Sequence, residues 1–344
     1  MRLRRLLIIG AALLVISCEP GPPVWHTTFP AFGTRIDISI AGVPEPSARQ
    51  ASDAIKALFE SLHHRWHPWG DGELGRFNAQ LMATGSASGD AELLDTIRQA
   101  MTYTRLSGGR FNPAVAALVR EWGFNQAAPI AAPPDRAKLL ELRAAMPSQQ
   151  QIDWFPDRLV SPAGGWAIDL GGFAKGLAVD RAIQLLREAG IENAIVNAGG
   201  DLRAIGRRNE RAWRIGIRHP RRAGVIAGID IDGDESVFTS GDYERFFENG
   251  GVRYHHILDP ETGYPAMGTV SLTVIAGNGA LADASATALF VAGPGEWPEL
   301  AQALGLELVM LVASDGHLEM TAAMAKRVTL ENPEELDIVI VDKL

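Results

Sequence analysis

The chain has 344 residues, of which 47% are hydrophobic and 21% are charged, with 41 acidic side chains against 32 basic ones. A net charge of −9 gives no support to nucleic-acid binding, which depends on a basic surface. A chain of this length and hydrophobic content can bury a substantial core, as one elaborate domain or two.

The first 17 residues have the layout of a secretory signal, with three arginines before an apolar run from Leu6 to Ile16. That run is shorter than the roughly 20 residues that a membrane-spanning helix needs. It ends in the letters VISC, which resemble a bacterial lipoprotein signal with Cys18 as the lipidated first residue of the mature chain. Cys18 is the only cysteine, so no internal disulfide can form despite export.

We therefore expect residues 1–17 to be removed and residues 18–27 to act as a tether. The alternative is an ordinary secreted protein in which the cysteine is coincidental. The lipoprotein interpretation predicts a protein anchored in the bacterial cell envelope and facing the periplasm, and Glu19 favours release to the outer membrane over retention at the inner one. Removal of residues 1–17 takes away three arginines, so the mature chain has 29 basic and 41 acidic side chains and a net charge of −12.

The predicted elements mix strands and helices. Residues 25–42 alternate like a strand, and residues 108–124 predict a turn followed by a helix with Pro113 in its first turn. Helical patterns cover residues 47–67, 90–106, about 135–145, 174–189, 281–291 and 296–304. We expect one catalytic domain, residues 28–344. The proline-rich connector at 127–135 is compatible with a division of that domain into two subdomains. The irregular order of strands and helices favours an α+β fold with mixed or antiparallel sheets.

A glycine loop precedes the helix predicted at 174–189. The first turn of that helix has free backbone N–H groups, and Lys175 adds a cation there, which together would suit a phosphate. The order of glycines and lysine does not match a Walker loop, and the chain has no G-x-G-x-x-G motif. On these residues alone, an anion site and a purely structural glycine turn both remain open.

Asp283 and Thr287 are four positions apart in the helix predicted at 281–291, and therefore share a face. A carboxylate beside a hydroxyl suits a hard cation such as Mg²⁺. Thr287 could instead bond to its own helix, and Asp283 could instead interact with the helix dipole. Asp201 and Asp242 each follow a glycine in a strand, which indicates either a close ligand approach or a bulge or hairpin.

The letters HHILDPETG, residues 255–263, place two histidines before a predicted tight turn. The histidines lie in an extended segment, where successive side chains point to opposite faces. At most one of His255 and His256 can therefore face a shared site.

Five segments in one order resemble the ApbE-type FAD:protein FMN transferases: DLGGFAKGLAVD, VNAGGDL, TSGDYERFF, YHHILDPETGYP and ADASATALF. The upstream segments FGTRIDI, GELGRFN and GGRFNPAVAALVREWGF are similar to the N-terminal blocks of that family. The resemblance spans roughly residues 28–325 and implies a T-fold-related α+β architecture. Lipid-anchored members facing the periplasm are usual in this family, in agreement with the interpretation of Cys18.

The resemblance implies a Mg²⁺-dependent transfer of FMN from FAD to a threonine hydroxyl of a partner protein, with release of AMP. The implied acceptors are subunits of respiratory membrane complexes. Mg²⁺ would be bound by Asp283, Thr287 and the backbone carbonyl of Gly172, and His256 matches the catalytic histidine. FAD contacts are implied at Phe32, Glu73, Leu74, Asn112, Lys175 and Ile257.

This assignment is chemically consistent. A cation and a lysine would neutralise charge on the leaving AMP, and a histidine could take the proton of the attacking threonine. Two positions depart from the family pattern: Phe32 stands where methionine is usual, and Asn112 stands where aspartate is common. The second departure removes a charge near the implied flavin or adenine contact.

Two other functions remain possible from the sequence. A Mg²⁺-dependent FAD pyrophosphatase would use water in place of threonine at the same ligands, giving FMN and AMP. A flavin-binding lipoprotein would hold FAD without turnover, but binding alone needs neither His256 nor the pair of Asp283 and Thr287.

Overall fold

The computed structural model describes residues 23–126 and 132–342. The signal at 1–17, Cys18 and residues 127–131 of the connector lie outside this part of the chain. Within the two described ranges, no helix has both the length and the apolar character to cross a membrane.

The helices and strands follow each other irregularly along the chain. The helices are α1 (Glu45–Arg65), α2 (Glu73–Thr84), α3 (Ala91–Leu106), α4 (Ala116–Glu121), α5 (Arg136–Ala145), α6 (Ala174–Glu188), α7 (Gly279–Ala292), α8 (Trp297–Ala303) and α9 (Ala322–Ala325). The strands are β1 (Trp25–Ala31), β2 (Thr34–Ile40), β3 (Ser86–Ser88), β4 (Asp153–Trp154), β5 (Arg158–Val160), β6 (Ala194–Ala198), β7 (Asp201–Ile205), β8 (Trp213–Arg218), β9 (Val225–Ile231), β10 (Glu235–Gly241), β11 (Phe246–Asn249), β12 (Val252–His255), β13 (Thr269–Ala276), β14 (Leu308–Ala313), β15 (Leu318–Thr321), β16 (Val328–Leu330) and β17 (Ile338–Val341).

One nine-stranded sheet forms the centre of the molecule, in the order β1, β2, β6, β7, β10, β13, β14, β15 and β17. Its neighbouring strands are antiparallel except for the parallel pair of β15 and β17. Smaller sheets are formed by β16, β9 and β8, by β3, β5 and β4, and by the hairpin of β11 and β12. These mixed sheets, with helices packed on them, confirm the predicted α+β class.

The central sheet is covered on both faces. In β13, Leu272 and Val274 join the core shared with helices α1, α6 and α7, whereas Val270 and Ile275 join the core shared with β8 and β9. Both faces are buried along the strand, which includes the small hydroxyl side chains of Thr269, Ser271 and Thr273 among its buried residues.

Three local predictions need correction, and one helix was missed. The tether predicted at 18–27 is too long, because residues 25–27 belong to β1, which pairs with β2 in the central sheet. The single strand predicted over 25–42 is a hairpin, because Phe32 and Gly33 both adopt positive φ, 51° and 70°, and reverse the chain. Pro113 precedes α4 rather than lying in its first turn. Its carbonyl accepts the N–H of Asp169 at 2.7 Å instead of an N–H one turn further along the helix. Helix α2 was not predicted, although Leu74, Phe77 and Leu81 have the helical spacing that could have revealed it.

Candidate active site

Helices α6 and α7 meet close to their N-termini, at Gly176 and Gly279. A Cβ atom on Gly176 would lie 2.2 Å from the carbonyl oxygen of Gly279, so a larger residue would force the two helices apart. The contact places the first turn of α6, which carries Lys175, beside the turn of α7 that carries Asp283.

Each helix supplies a carboxylate to the N-terminus of the other. Asp283 on α7 accepts the backbone N–H of Gly176 at 2.9 Å. Asp180 on α6 accepts the N–H groups of Gly279 at 2.7 Å and Ala280 at 2.9 Å. These carboxylates satisfy N–H groups that have no partner within their own helix, and so fix the position of α6 relative to α7.

Asp283 lies in a buried and negatively charged environment. It is 5% exposed, and burial raises the pKa of its carboxyl to about 7, against the opposing effect of Lys175. Asp201 and Asp180 raise that pKa further. Asp201 pairs with Lys175, and Asp180 pairs with Arg203 on β7 at 2.5 Å, so the three carboxylates exceed the two cations by one negative charge when Asp283 is ionised, which favours binding of a cation.

Lys175 pairs with the carboxylate of Asp201, which is 4% exposed. The second oxygen of Asp201 accepts the N–H of Thr239 on β10 at 2.9 Å, so the carboxylate is held on both sides. Burial lowers the pKa of Lys175, but the charges of Asp201 and Asp283 outweigh this effect and raise it to about 12. Lys175 is therefore a fixed cation at neutral pH.

The sequence indicates Asp201 only as a carboxylate beside glycines and does not assign it a role. Asp242, noted for the same reason, has a structural partner. Its two oxygens accept hydrogen bonds from Arg221 at 2.7 and 2.5 Å, which occupy the carboxylate away from α6 and α7.

Thr287 lies one turn beyond Asp283 and faces the glycine loop. A Cβ atom on Gly172 would lie 2.8 Å from the hydroxyl oxygen of Thr287, so the loop backbone passes directly against that hydroxyl. The resemblance assigns three groups to a metal: the carboxylate of Asp283, the hydroxyl of Thr287 and the carbonyl of Gly172. All three are oxygen ligands. In the described ranges there is no group of three or more His, Cys, Asp or Glu side chains able to hold a metal ion. The donor set fits Mg²⁺, which needs few protein ligands because it retains water and binds substrate phosphates.

His255 and His256 point in different directions at the end of β12. The Nε2 of His255 donates to the carbonyl of Ala266 at 2.8 Å, and its buried ring packs edge-on against Phe290 of α7. The backbone N–H of His256 donates to the carbonyl of Arg245 at 3.0 Å, and its Nδ1 lies 3.3 Å from the same oxygen.

The imidazole of His256 belongs to the same electrostatic cluster as Asp283. Burial lowers the pKa of His256 well below its ordinary value, and the charges of Arg245 and Lys175 lower it further. The ammonium group of Lys175 therefore acts on both His256 and Asp283. The geometry agrees. Lys175 adjoins Gly176, which donates to Asp283. His255, the neighbour of His256, packs against Phe290 on the helix that carries Asp283.

Two further assigned residues border this site. Asn112 accepts the N–H of Ala114 at 2.9 Å in a turn, and the neighbouring Phe111 would lie 3.3 Å from a Cβ on Gly172. Asn112 is thus next to the glycine loop. Ile257 has a buried side chain, its N–H donates to Nδ1 of His255 and its carbonyl accepts the N–H of Ala266, so its assigned FAD contact stays a prediction.

The remaining FAD assignments fall in a second group of residues. Phe32 donates its N–H to Nδ1 of His63 at 3.2 Å, and its ring makes edge contacts with Phe59 and His63. Glu73 begins α2 and pairs with Arg65 at 2.9 Å. The side chain of Leu74 is fully buried, which leaves only its backbone for a ligand.

This second group is connected to α6 through aromatic and charged contacts. The guanidinium of Arg181 on α6 lies 5.0 Å from the centre of the ring of Trp66, and that ring also contacts Phe32. The two groups of assigned residues are thus linked along one helix.

Comparison with known proteins decides the family. The sequence profile of the ApbE family matches residues 32–310. The chain belongs to the ApbE family. It is 37% identical over 337 residues to an FAD:protein FMN transferase of Rhodobacter capsulatus, covering 98% of this chain and 64% of the relative. The chain thus spans less than two thirds of that relative's length.

Other ApbE proteins are covered more completely. An FAD:protein FMN transferase of Vibrio cholerae is 31% identical over 90% of this chain and 94% of the relative. The crystal structure of the ApbE protein of Thermotoga maritima superposes with a TM-score of 0.80 at 32% identity, covering 89% of this chain and 99% of that one. A structure of the flavin transferase ApbE of Vibrio cholerae gives a TM-score of 0.77 at 28% identity, covering 89% and 100%. The predicted family and fold are confirmed, whereas the roles assigned to individual residues stay predictions.

Proposed function

We propose that this chain is an FAD:protein FMN transferase that uses Mg²⁺ to move FMN from FAD onto a threonine hydroxyl of an acceptor protein, releasing AMP. The transferase class is supported by the family match and by relatives that carry this name. The observation that carries the finer proposal is the packing of α6 against α7, which sets Lys175 beside Asp283, together with the contact of His255, the neighbour of His256, with Phe290 on the same helix α7.

The site has the charges that a diphosphate requires. The fixed ammonium group of Lys175 offers a positive partner to phosphate oxygens, and Asp201 holds that group in place. Mg²⁺ would be held by Asp283, Thr287 and the carbonyl of Gly172. When bound, the ion would neutralise the charge that develops on the departing phosphate.

His256 is suited to take the proton of the acceptor hydroxyl. Because a carbonyl oxygen can only accept, the Nδ1 facing Arg245 carries the ring hydrogen, and Nε2 keeps its lone pair. The threonine oxygen then forms a bond to the phosphorus of the FMN moiety while its proton passes to Nε2 of His256. The bond from that phosphorus to the bridging oxygen breaks, and AMP leaves with the electron pair.

We propose further that the protein acts at the periplasmic face of the cell envelope, attached through a lipid on Cys18. The support is the sequence of residues 1–18, with a basic start, a short apolar run and a single cysteine. The corresponding acceptors are envelope proteins, with subunits of respiratory membrane complexes as the candidates to test.

The function is tested by mixing the protein with FAD and Mg²⁺, with and without a periplasmic respiratory subunit. We expect in-gel flavin fluorescence on that subunit, one AMP released for each FMN attached, and no labelling when EDTA removes the metal. Free FMN in solution with no labelled protein would instead identify an FAD pyrophosphatase. FAD that stays intact in the presence of Mg²⁺ and acceptor would identify a flavin-binding protein without turnover.

A further inference from the structure

The tip of the first hairpin has a backbone conformation that its residue type disfavours. Between β1 and β2, Phe32 has a φ of 51° and Gly33 has a φ of 70°. Glycine adopts positive φ freely, whereas a bulky side chain adopts it only where the surrounding contacts impose it. The other non-glycine residues with positive φ in the described ranges are both asparagines, which tolerate it. Phe32 is therefore held by its neighbours, and such strain is concentrated at ligand sites.

Contacts from α1 and from the residue that follows it hold Phe32. Its backbone N–H donates to Nδ1 of His63 at 3.2 Å. Its ring lies edge-on to the rings of Phe59 and His63, with centroids 5.8 and 5.7 Å away, and is tilted against the ring of Trp66 at 6.4 Å. His63 thus orients the strained peptide group as well as the aromatic ring.

The hydrogen bond to Phe32 requires a neutral imidazole. Because a backbone N–H can only donate, Nδ1 of His63 keeps its lone pair and the ring hydrogen lies on Nε2. Protonation would place a hydrogen on both ring nitrogens and leave no acceptor. Burial lowers the pKa of His63, and the charges of His67 and His64 lower it further, so the neutral form is retained at neutral pH.

Three arginines on or next to the elements around His63 have carboxylate partners. The pairs are Arg35 with Asp37 in the hairpin, Arg65 of α1 with Glu73 of α2, and Arg181 of α6 with Glu92 of α3. Their charges are balanced locally, so the hydrogen bond to the hairpin tip follows the protonation of the imidazole.

We propose that His63 is a positioning residue for FAD, which holds Phe32 in the left-handed conformation that receives the ligand. The inference rests on the proposed function, in which Phe32 is one of the FAD contacts. Because the left-handed tip is strained, loss of the hydrogen bond lets it relax and moves the ring of Phe32. FAD affinity should therefore be retained above the pKa of His63 and decline as the pH falls through it, below the ordinary value of 6.5.

The test measures the Kd of FAD by fluorescence titration between about pH 5 and about pH 8, without acceptor protein. At neutral pH we expect His63→Ala to weaken FAD binding about fivefold, the effect of one hydrogen bond. His63→Asn should bind FAD like the wild-type protein, because its side-chain carbonyl can accept the N–H of Phe32 and does not titrate.

The acidic decline is compared between the wild-type protein and His63→Asn, because Asp283 also titrates in the metal-free site. On going from neutral pH to about pH 5, the wild-type protein should lose about fivefold more affinity than His63→Asn. His64→Asn is the matched control, at the adjacent exposed position of α1, and should keep both the affinity and the decline of the wild-type protein.

Phe32→Gly separates a positioning role from direct contact. Glycine adopts positive φ without support, so His63→Ala added to Phe32→Gly should cause no further loss of affinity. An undiminished fivefold loss in that background would show that His63 itself binds FAD, and would overturn the positioning role. The same conclusion would follow from unchanged FAD binding in His63→Ala, or from an acidic decline in His63→Asn equal to that of the wild-type protein. A wild-type protein that binds no FAD at any pH would instead contradict the proposed function itself.

Discussion

Two adjacent histidines at the end of β12 differ in the partners that their rings have. Both ring nitrogens of His255 are engaged, since Nε2 donates to Ala266 and Nδ1 accepts the N–H of Ile257. Within residues 23–126 and 132–342, the ring of His256 has a hydrogen-bond contact at Nδ1 alone, which leaves Nε2 for chemistry. The alternation of an extended chain predicted that only one histidine would face the site, and the family resemblance indicated which one.

Replacement of His256 by alanine tests the proposed base. Without a group to accept the threonine proton, we expect kcat for FMN transfer to fall by about 10²–10⁴-fold, while FAD stays bound. Transfer is measured by in-gel flavin fluorescence and FAD binding by fluorescence titration. His26→Ala is the control, since His26 is an exposed residue of β1 whose ring contacts Ser39. Full transfer activity in His256→Ala would remove the histidine from the mechanism.

The pH dependence of transfer gives a second test of the same residue. A lowered pKa keeps His256 neutral, and therefore basic, at pH values below 6.5, the ordinary value for histidine. With FAD in excess and at saturating Mg²⁺, which would keep Asp283 ionised although the pKa of its carboxyl is raised to about 7 in the metal-free site, we expect kcat/KM for the acceptor to hold through pH 6.5 and to fall only at lower pH. This acidic limb should be absent from the residual activity of His256→Ala. A limb at or above pH 6.5 that disappears with the imidazole would contradict the proposed environment of the ring.

At the scale of elements, the two carboxylates exchanged between α6 and α7 determine where Asp283 lies. The carboxylate of Asp180 accepts the N–H groups of Gly279 and Ala280, which begin α7. It also pairs with the guanidinium of Arg203 on β7 at 2.5 Å. Asp180 does not itself have to contact a metal to affect one. It positions α7, the helix that carries the two proposed side-chain ligands, Asp283 and Thr287.

Asp180→Asn is therefore expected to weaken metal binding. The amide can accept only part of these hydrogen bonds and cannot pair with Arg203, so we expect the Mg²⁺ concentration for half-maximal activity to rise about tenfold. Activity at saturating Mg²⁺ should largely recover, and direct Mn²⁺ binding, followed by electron paramagnetic resonance, should weaken in parallel. Asp230→Asn, at an exposed pair with Arg214, is the matched control. An unshifted Mg²⁺ titration in a folded Asp180→Asn protein would contradict the positioning role.

The long helices and the separation of Asp283 from Thr287 could be predicted from sequence, because both depend on periodicity within one segment. The predicted helix at 281–291 corresponds to α7, which spans Gly279–Ala292. The pairing of Asp180 with Arg203 and the first turn of α7 could not be predicted, because it joins three elements that are distant in sequence. The split of the first strand was missed because it depends on Phe32 adopting positive φ, which is rare for a bulky residue.

At the scale of the whole molecule, composition and element order indicated an α+β fold, but not the order of nine strands in one sheet. That order depends on pairings between distant segments, such as β2 with β6 and β7 with β10. The family resemblance supplied the architecture that local patterns could not, and the comparisons confirm it.

The cellular location is also a property of the whole chain, and Cys18→Ser tests it. Without a thiol to carry the lipid, we expect the protein to move from the membrane fraction to the soluble periplasmic fraction, as detected by immunoblotting. Transfer activity of the soluble protein should be retained, since residues 32–310 match the family profile without the N-terminal segment. Persistent membrane association of the variant would point to a different attachment.

The most direct test of the central claim is a crystal structure with FAD and Mn²⁺, the metal being located by anomalous scattering. We expect Mn²⁺ at about 2.1 Å from oxygens of Asp283 and Thr287, and the FAD diphosphate between that ion and the ring of His256. A metal bound elsewhere, or a diphosphate out of reach of His256, would contradict the account.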